Sequence, residues 1–397
     1  MSPSRRLIAA ILVATALTAG VGMGVRLAGC SRPCVSDLGR DYDNHGIRPG
    51  SPPYLDRNLE YPVGVGVVFW AATFVTSSGR SFFVVTSLAG IALAMLTAWL
   101  LARRFGPRAW YFALAPPLAL YASANWDLFA LAPAVAGLLA FEAGRDASAG
   151  ALVGLGAAVK LYPGLFVPPL VAARLRAGDT RGAVRVLVSS IGAFAVVNVP
   201  VLIASPSGWW FPLRFQSRRT PTWGSLWHYA VRTPALHPWT DHATVRSIAN
   251  VGTTTTLVVG IAITTWLVWR GRLGPIAASA AATAVFMLTN KIYSPQYDLW
   301  LVPVFVMLAL PRRDYVWYVA ADLAVFVIVF GTLGHHFRWT TTWAYTLLTF
   351  VVLRAAVIAV VVRDAARAEA GGTPAPAPRP PPRLRLRLRP RLRSSVA

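Results

Sequence analysis

The chain has 397 residues and a formal net charge of +23; 55% of its residues are hydrophobic and 13% are charged. Apolar runs long enough for membrane helices or half-helices recur along most of its length, so we predict an all-α, polytopic integral membrane protein. Nine arginines follow Val362, and most of the others lie in short connections between apolar runs. This distribution indicates cytoplasmic loops beside anionic lipid headgroups and excludes a nucleic-acid-binding protein.

Residues 1–25 are predicted to form the first transmembrane helix. Arg5 and Arg6 precede its apolar run and place the N-terminus in the cytoplasm. Cys30 and Cys34 then follow on the exterior, where they either pair in a small disulfide loop or remain free thiols.

An exterior acidic loop is predicted over residues 26–61, where five of the 15 acidic residues of the chain lie. A carboxylate at the membrane surface can take a proton from a sugar hydroxyl as a general base. Asp43 fits a solvated position that balances nearby arginines, whereas Asp37 is the first acid after the apolar helix. The candidates for a catalytic carboxylate are Asp37, Asp41 and Glu60.

Residues 62–362 are predicted to form the membrane domain, a bundle of about 10–12 transmembrane or re-entrant helices. If every arginine cluster is cytoplasmic, runs 62–78 and 82–101 must together make a single membrane crossing. One of the two runs is then interfacial or re-entrant. The hairpin tips then lie outside, at residues 121–127, 160–163, 205–247, 290–296 and 333–340.

The chain has two lysines, Lys160 and Lys291, and each is followed by a tyrosine and a proline within four positions. The halves of run 147–173 are too short to span a bilayer, which predicts a broken helix pair around Lys160. A cation at that depth is a candidate binding group for an anionic ligand. The alternative is that both lysines are incidental residues at helix ends.

Two further exterior segments carry polar residues. Asn125 and Asp127 either cap the start of a helix or belong to a site. Loop 205–247 is rich in tryptophan, as at a membrane interface, and contains His228; its histidines lack metal-ligand spacing, so we predict no metal. No glycine-rich phosphate loop occurs between a strand and a helix, so we predict no nucleotide or other cofactor and a donor already in the membrane.

These motifs, in this order, resemble glycosyltransferase family 87 of the GT-C superfamily: Asp37 after the first helix, Glu60-Tyr61-Pro62, Asn125-Trp126-Asp127, Lys160-Leu161-Tyr162-Pro163 and Lys291-Ile292-Tyr293-Ser294-Pro295-Gln296. The resemblance implies a GT-C-like fold and transfer of a sugar, mannose in the family's best-known member, from a polyprenyl-phosphate donor to an envelope glycolipid or glycan. It also implies that an acid of the first exterior loop is the base; Asp37 takes that role, but Asp41, four residues on, leaves the assignment open.

The donor phosphate is an anionic leaving group, which cations at the outer surface stabilise. The candidate residues for the donor phosphate and lipid are Lys160, Tyr162, Lys291, Gln296 and His228. The main alternative function is a transporter or a flippase for lipid-linked sugars, since broken helices and intramembrane cations suit that too. A structural envelope protein explains the helices but not the exterior motifs.

The predicted location is the plasma (inner) membrane, with both termini in the cytoplasm and the active site outside, in contact with membrane lipids. Residues 363–397 are predicted to be a disordered, basic cytoplasmic tail, because their proline- and arginine-rich sequence cannot build a core.

Overall fold

The computed structural model describes residues 3–28, 36–230, 242–333 and 341–371. Within these ranges the regular structure is helical and contains no strand, apart from two isolated bridges near Arg48 and Pro53. Three 3₁₀ segments occur, at Gly106–Ala109, Tyr162–Phe166 and Pro295–Leu301. The α-helices are α1 (Arg5–Ala28), α2 (Asp37–His45), α3 (Val63–Thr73), α4 (Gly79–Phe105), α5 (Trp110–Ala113), α6 (Pro116–Tyr121), α7 (Asp127–Glu142), α8 (Asp146–Val159), α9 (Val167–Arg176), α10 (Thr180–Ala204), α11 (Pro206–Arg218), α12 (Leu226–Ala230), α13 (His242–Trp269), α14 (Pro275–Thr289), α15 (Val302–Met307), α16 (Arg312–Leu333) and α17 (Thr341–Gly371).

Among the described residues, five helical stretches are long and apolar enough to cross a membrane: α1, α4 with the turn after it, α10, α13 and α17. Much of their apolar surface faces outwards; on α10, for example, the side chains of Val196 and Ile203 are 75% and 77% exposed. Such surface requires a lipid environment. The prediction of an all-α, multi-pass membrane protein is therefore confirmed.

Shorter apolar helices lie between these spans. α3 has 11 residues, about 16 Å of helix, so it is the short member of the two runs predicted to cross only once. The predicted break around Lys160 is also present: α8 ends at Val159, Lys160 is extended, and a 3₁₀ segment with Pro163 in its first turn leads into α9.

Close helix packing positions this break. Gly150 and Gly154 are four residues apart on α8, and an added Cβ at either would overlap a backbone carbonyl of α10, that of Val186 or that of Ser190. Small residues at this spacing let two membrane helices approach closely. The C-terminal end of α8, and Lys160 with it, is therefore held firmly in the bundle.

Two predicted non-helical segments contain helix in the structure. The acidic segment 26–61 contains helix α2, which starts after Ser36 because the Ser36 side chain accepts a hydrogen bond from the backbone N–H of Leu38. At the other end, α17 continues to Gly371, so residues 363–371 are helical rather than part of a disordered tail. The Glu369 carboxylate accepts hydrogen bonds from the first turn of α14, which anchors this extension.

Some predictions fall on residues outside the described ranges. These are the pairing of Cys30 and Cys34, the tip at 334–340 and the tail beyond Gly371. In loop 205–247 the described part is largely helical: it comprises α11, α12 and the start of α13.

Candidate active site

A cavity of about 1310 Å³ lies where the predicted exterior tips meet. Tips 121–127, 160–163, 205–247 and 290–296, far apart in the chain, each contribute residues to its wall, as does the segment that begins with α2. The sequence-predicted site residues in the wall are Asp37, Glu60, Asn125, Lys160, Tyr162, His228, Lys291 and Gln296.

Asp37 occupies the first position of α2 at the edge of this cavity. The backbone N–H of Asp37 donates to the carbonyl of Ala124 at 2.9 Å, and the Ser36 hydroxyl donates to the carbonyl of Ser123 at 2.7 Å. These bonds fix the start of α2 against the segment that precedes α7. The serine cap and the docking together set the direction in which Asp37 points.

The Asp37 carboxylate accepts two hydrogen bonds from neighbouring elements, from the Asn125 amide at 2.5 Å and the Tyr61 hydroxyl at 3.0 Å. The guanidinium of Arg40, one turn along α2, also pairs with it. The side chain is 26% exposed, so the carboxylate is oriented by three partners yet still open to the cavity. Asn125 and Tyr61 thus orient the Asp37 carboxylate at the cavity wall.

The other two acids of the first segment are placed differently. Asp41 is buried behind Asp37 and is not part of the cavity wall. Burial, reinforced by the charges of Asp37 and Glu60, raises the pKa of Asp41 to about 8. Glu60 lines the cavity and pairs with His45 at 2.8 Å.

The contact between Glu60 and His45 favours the charged form of each side chain. Burial acts against the Glu60 charge, but the hydrogen bond and the charge of His45 outweigh it and lower the pKa of Glu60. The same hydrogen bond raises the pKa of His45, despite its partial burial. Of the three candidate carboxylates, Asp37 is thus the one that is both open to the cavity and not engaged with a histidine.

Asp127 does not cap a helix: α7 begins at Asp127 without a side-chain cap. Its buried carboxylate instead accepts hydrogen bonds from the Lys160 ammonium at 2.9 Å and the Trp300 indole at 2.7 Å. Capping, one of the two roles considered for Asp127, is therefore not observed; the hydrogen bonds from Lys160 and Trp300 both go to its Oδ1. Lys160 reaches the cavity already paired with an opposite charge.

Aromatic rings surround this pair. The Tyr162 ring stacks on Trp300 with centroids 3.9 Å apart, and Trp300 stacks on Tyr297 with centroids 4.2 Å apart. The Lys160 ammonium lies 5.6 Å and 5.8 Å from the centroids of Tyr297 and Trp300, within reach of cation–π attraction. Sequence reasoning missed Trp300, although it follows the Lys291 motif by only a few residues.

Lys291 has different surroundings. Its ammonium donates to two backbone carbonyls, of Ser217 at 3.1 Å and of Arg219 at 2.7 Å. Lys291 lies in the connection after α14, outside the membrane-spanning helices. Burial, together with the charges of Arg246 and Arg219, lowers the pKa of Lys291 to about 8. Arg218 and Arg219 line the cavity beside it. This side of the wall is therefore basic.

His228 and Gln296 complete the wall. His228 is buried, with Nδ1 3.1 Å from the carbonyl oxygen of Pro221. Gln296 is 9% exposed and lies in the 3₁₀ segment next to Tyr297. Both side chains are polar groups at the end of the cavity formed by the tips at 205–247 and 290–296.

A buried charge network, which the sequence did not predict, supports this wall from below. The Arg354 guanidinium of α17 lies over the Tyr293 ring at 3.7 Å, donates to the Gly224 carbonyl at 2.8 Å and lies 3.7 Å from a carboxylate oxygen of Asp298. The Asp298 carboxylate also accepts from the Tyr293 hydroxyl at 2.9 Å. Arg354 thus connects α17 to the segment that carries Lys291 and to the segment that supplies the carbonyl partners of Lys291.

The model of glycosyltransferase family 87 matches residues 59–295, more than half of the chain. The chain belongs to glycosyltransferase family 87. As a family 87 member it is a membrane glycosyltransferase, which uses a sugar donor and an acceptor in a lipid environment. The matched range includes Glu60, Asn125, Lys160 and Lys291, and it begins after Asp37. No curated protein sequence matches the chain.

Proposed function

We propose that this enzyme transfers a hexose, with mannose as the first candidate, from a polyprenyl-phosphate donor to a glycolipid or glycan acceptor outside the plasma membrane. The observation that carries the proposal is the division of the cavity wall. An oriented carboxylate, Asp37, lies in the same cavity as a basic wall formed by Lys291, Arg218 and Arg219. A transferase that uses a lipid phosphate needs both features.

In the proposed reaction Asp37 acts as the general base. The acceptor hydroxyl gives its proton to the Asp37 carboxylate while its oxygen bonds to the anomeric carbon of the donor sugar. The bond from that carbon to the phosphate oxygen breaks, and the phosphate leaves with the electron pair, so the configuration inverts. The hydrogen bonds from Asn125 and Tyr61 hold the carboxylate in one orientation for this step.

The basic wall would bind the donor phosphate and stabilise the charge that grows on it during transfer. Lys291, Arg218 and Arg219 would supply this charge. Among the described residues, no carboxylate pairs with Lys291, whose ammonium donates to backbone carbonyls. His228 and Gln296 lie at the same end and would add hydrogen bonds. Tyr162 would act through Trp300, on which it stacks.

We propose a different role for Lys160. Because Asp127 already balances its charge, Lys160 adds no net charge for a phosphate. With Asp127 it instead holds Trp300 and Tyr297 at the wall, where an aromatic face would pack against the donor sugar or its lipid.

The experiment uses the purified full chain in liposomes with synthetic polyprenyl-phosphate sugars and an envelope lipid extract, and it measures formation of the glycosidic product. Asp37→Asn is expected to lower kcat by about 10²–10⁴-fold, because the amide keeps the size of the side chain but accepts no proton. Donor binding should be largely retained.

Asp43→Asn is the matched control, since Asp43 lies on the same helix but outside the cavity wall. A mild effect of Asp37→Asn together with a severe effect of Glu60→Gln would move the base to Glu60. Movement of lipid-linked sugar across the bilayer with no glycosidic product would support the flippase alternative and refute the transferase proposal for these substrates.

A further inference from the structure

Three side chains, one in the cavity wall and two behind it, converge on one point. Asp41 and His45 are four residues apart on α2 and therefore lie on one face of the helix, and Glu60 reaches the same point from the segment before α3. One potential ligand atom from each of the three lies within 4.8 Å of the other two. We refer to Asp41, His45 and Glu60 as the α2 triad.

One of the two side-chain oxygens of Asp41 is buried without a hydrogen-bond partner. The residue is 1% exposed, and its Oδ2 makes no hydrogen bond to any described residue. Its other oxygen lies 3.9 Å from the Nε of Arg40, beyond hydrogen-bond distance. Leaving a buried carboxyl oxygen unsatisfied is costly, and in native proteins such a group usually has a partner, which can be a water molecule or an ion. The His45–Glu60 ion pair accounts for two members of the triad but not for Asp41.

We propose that the α2 triad binds a divalent metal ion, and that Zn²⁺ is the ion it fits best. The charge balance supports this: a histidine that ligates a metal is neutral and ligating carboxylates are ionised, so in the bound state Asp41 and Glu60 would together offer two negative charges to a divalent cation. The guanidinium of Arg40 compensates this charge only weakly, since it pairs closely with Asp37 and its Nε lies 3.9 Å from the Asp41 carboxylate.

The ligand set and the distances indicate the type of ion. One imidazole nitrogen with two carboxylate oxygens is a ligand set that suits Zn²⁺, whereas Mg²⁺ and Ca²⁺ prefer oxygen alone. Ligand atoms at about 2.1 Å from one ion are roughly 3–4 Å apart. The His45–Glu60 separation of 2.8 Å would widen by a few tenths of an ångström on binding, a change within reach of side-chain rotation. A fourth position remains for water.

A metal at the triad would act on the proposed base through position. Asp37 begins the helix that carries Asp41 and His45, and Tyr61, which donates to Asp37, directly follows Glu60. An ion that joins Glu60 to α2 therefore fixes both Asp37 and one of its hydrogen-bond donors. The sequence analysis predicted no metal because it considered the histidines of loop 205–247, which lack ligand spacing. The triad instead combines two residues of α2 with Glu60, 15 positions after His45.

The test measures Zn²⁺ binding to tag-free, chelator-treated full-length protein in detergent, by competition with a chromophoric chelator and by metal analysis after gel filtration. We expect one Zn²⁺ per chain and a higher thermal unfolding temperature with the ion bound. Asp41→Asn and His45→Gln should each weaken Zn²⁺ binding at least tenfold. Asp43→Asn, with the same chemistry on the same helix outside the triad, should bind as the wild type does.

Absence of saturable Zn²⁺ binding by folded wild-type protein would overturn the proposal, and so would equal affinity in the triad variants and Asp43→Asn. If Asp41→Asn and His45→Gln fail to fold, Glu60→Gln decides, because it keeps the size and hydrogen bonding of the side chain while removing an anionic ligand. Binding is measured without donor or acceptor, so failure of the metal proposal and failure of the transferase proposal are separate outcomes.

Discussion

The two lysines of the chain line one cavity but lie in opposite electrostatic settings. Lys160 forms a buried ion pair with Asp127, which also accepts from Trp300, so this region is charge-neutral and aromatic. Lys291 binds the carbonyls of Ser217 and Arg219 in a region that also contains further arginines. Similar local sequences, each with a tyrosine and a proline nearby, thus place one lysine against a carboxylate and the other against backbone carbonyls beside arginines.

This difference indicates how the tertiary partner decides the function of a lysine. An ammonium that is paired with a buried carboxylate contributes to stability and holds its neighbours, and removing one partner leaves an uncompensated charge. An ammonium that binds only carbonyls has no anionic partner, so its positive charge is available to an anionic ligand while the group is protonated. The following predictions test whether the two regions differ in this way.

The largest effect is expected for Lys160→Met, which leaves the Asp127 carboxylate buried without its cation. The free energy of unfolding should fall by about 3–5 kcal/mol, as measured by thermal or denaturant unfolding in detergent. The double variant Lys160→Met/Asp127→Leu removes both charges and should recover much of the loss. A single variant as stable as the wild type would contradict the assignment of Lys160 as a structural cation.

The next effect concerns Lys291→Ala, for which we expect a loss of donor affinity rather than of stability. A charge-assisted hydrogen bond contributes about 1.5–3 kcal/mol, so donor binding should weaken by roughly 10–150-fold, as measured by equilibrium binding in nanodiscs. Arg80→Gln, which removes a positive charge from the exposed start of α4 outside the cavity wall, should leave donor binding unchanged. Equal donor affinity in Lys291→Ala and the wild type would remove Lys291 from the phosphate site.

Donor binding should also depend on pH through Lys291. Because its pKa is lowered to about 8, the side chain is charged below that pH and loses its proton as the pH rises through it, while the phosphodiester of the donor stays ionised. Donor affinity should therefore fall by up to about tenfold between pH 7 and 9. Lys291→Arg stays charged over this range, so its donor affinity, even if lower at pH 7, should not show that fall.

The smallest effect is expected for Thr253→Ala. The Thr253 hydroxyl accepts a hydrogen bond from the backbone N–H of Lys291 at 3.0 Å, and its loss should cost about 0.5–1.5 kcal/mol. Donor affinity should fall a few-fold as the connection loosens. Thr256→Ala is the matched control on the same helix, since the Thr256 hydroxyl bonds only to carbonyls of α13. Identical donor affinities in both variants would show that this bond does not support the site.

Much of the fold follows from local sequence. Apolar runs separated by arginine-rich connections predicted a helical membrane protein, and the short halves around Lys160 predicted the break between α8 and α9. The helical extension of α17 depends on a single side chain in distant contact. Glu369 binds the first turn of α14, an interaction that no local pattern in an arginine-rich C-terminal segment reveals.

The sequence analysis predicted residues of the candidate site but not the pairs that they form. The distribution of arginines placed Asp37, Asn125 and Lys291 on one face, and the structure brings them to one cavity. The structure also uses Trp300 and Arg354, which the sequence analysis passed over. A tryptophan in an apolar run resembles core, and a single arginine in a long helix resembles a membrane-edge cation, so neither residue type signalled its role.

The sequence by itself determined that this chain crosses the membrane repeatedly, that basic connections and polar segments alternate along it, and which few residues are candidates for a site. Hydropathy and charge suffice for this, because transfer into lipid depends on each segment's own composition. Only the tertiary structure decided that Asp127 neutralises Lys160, that carbonyls of Ser217 and Arg219 bind Lys291, and that Asp41 lies behind Asp37. Charge balance in a buried site depends on which groups meet within a few ångströms, and those groups come from segments that the chain separates widely.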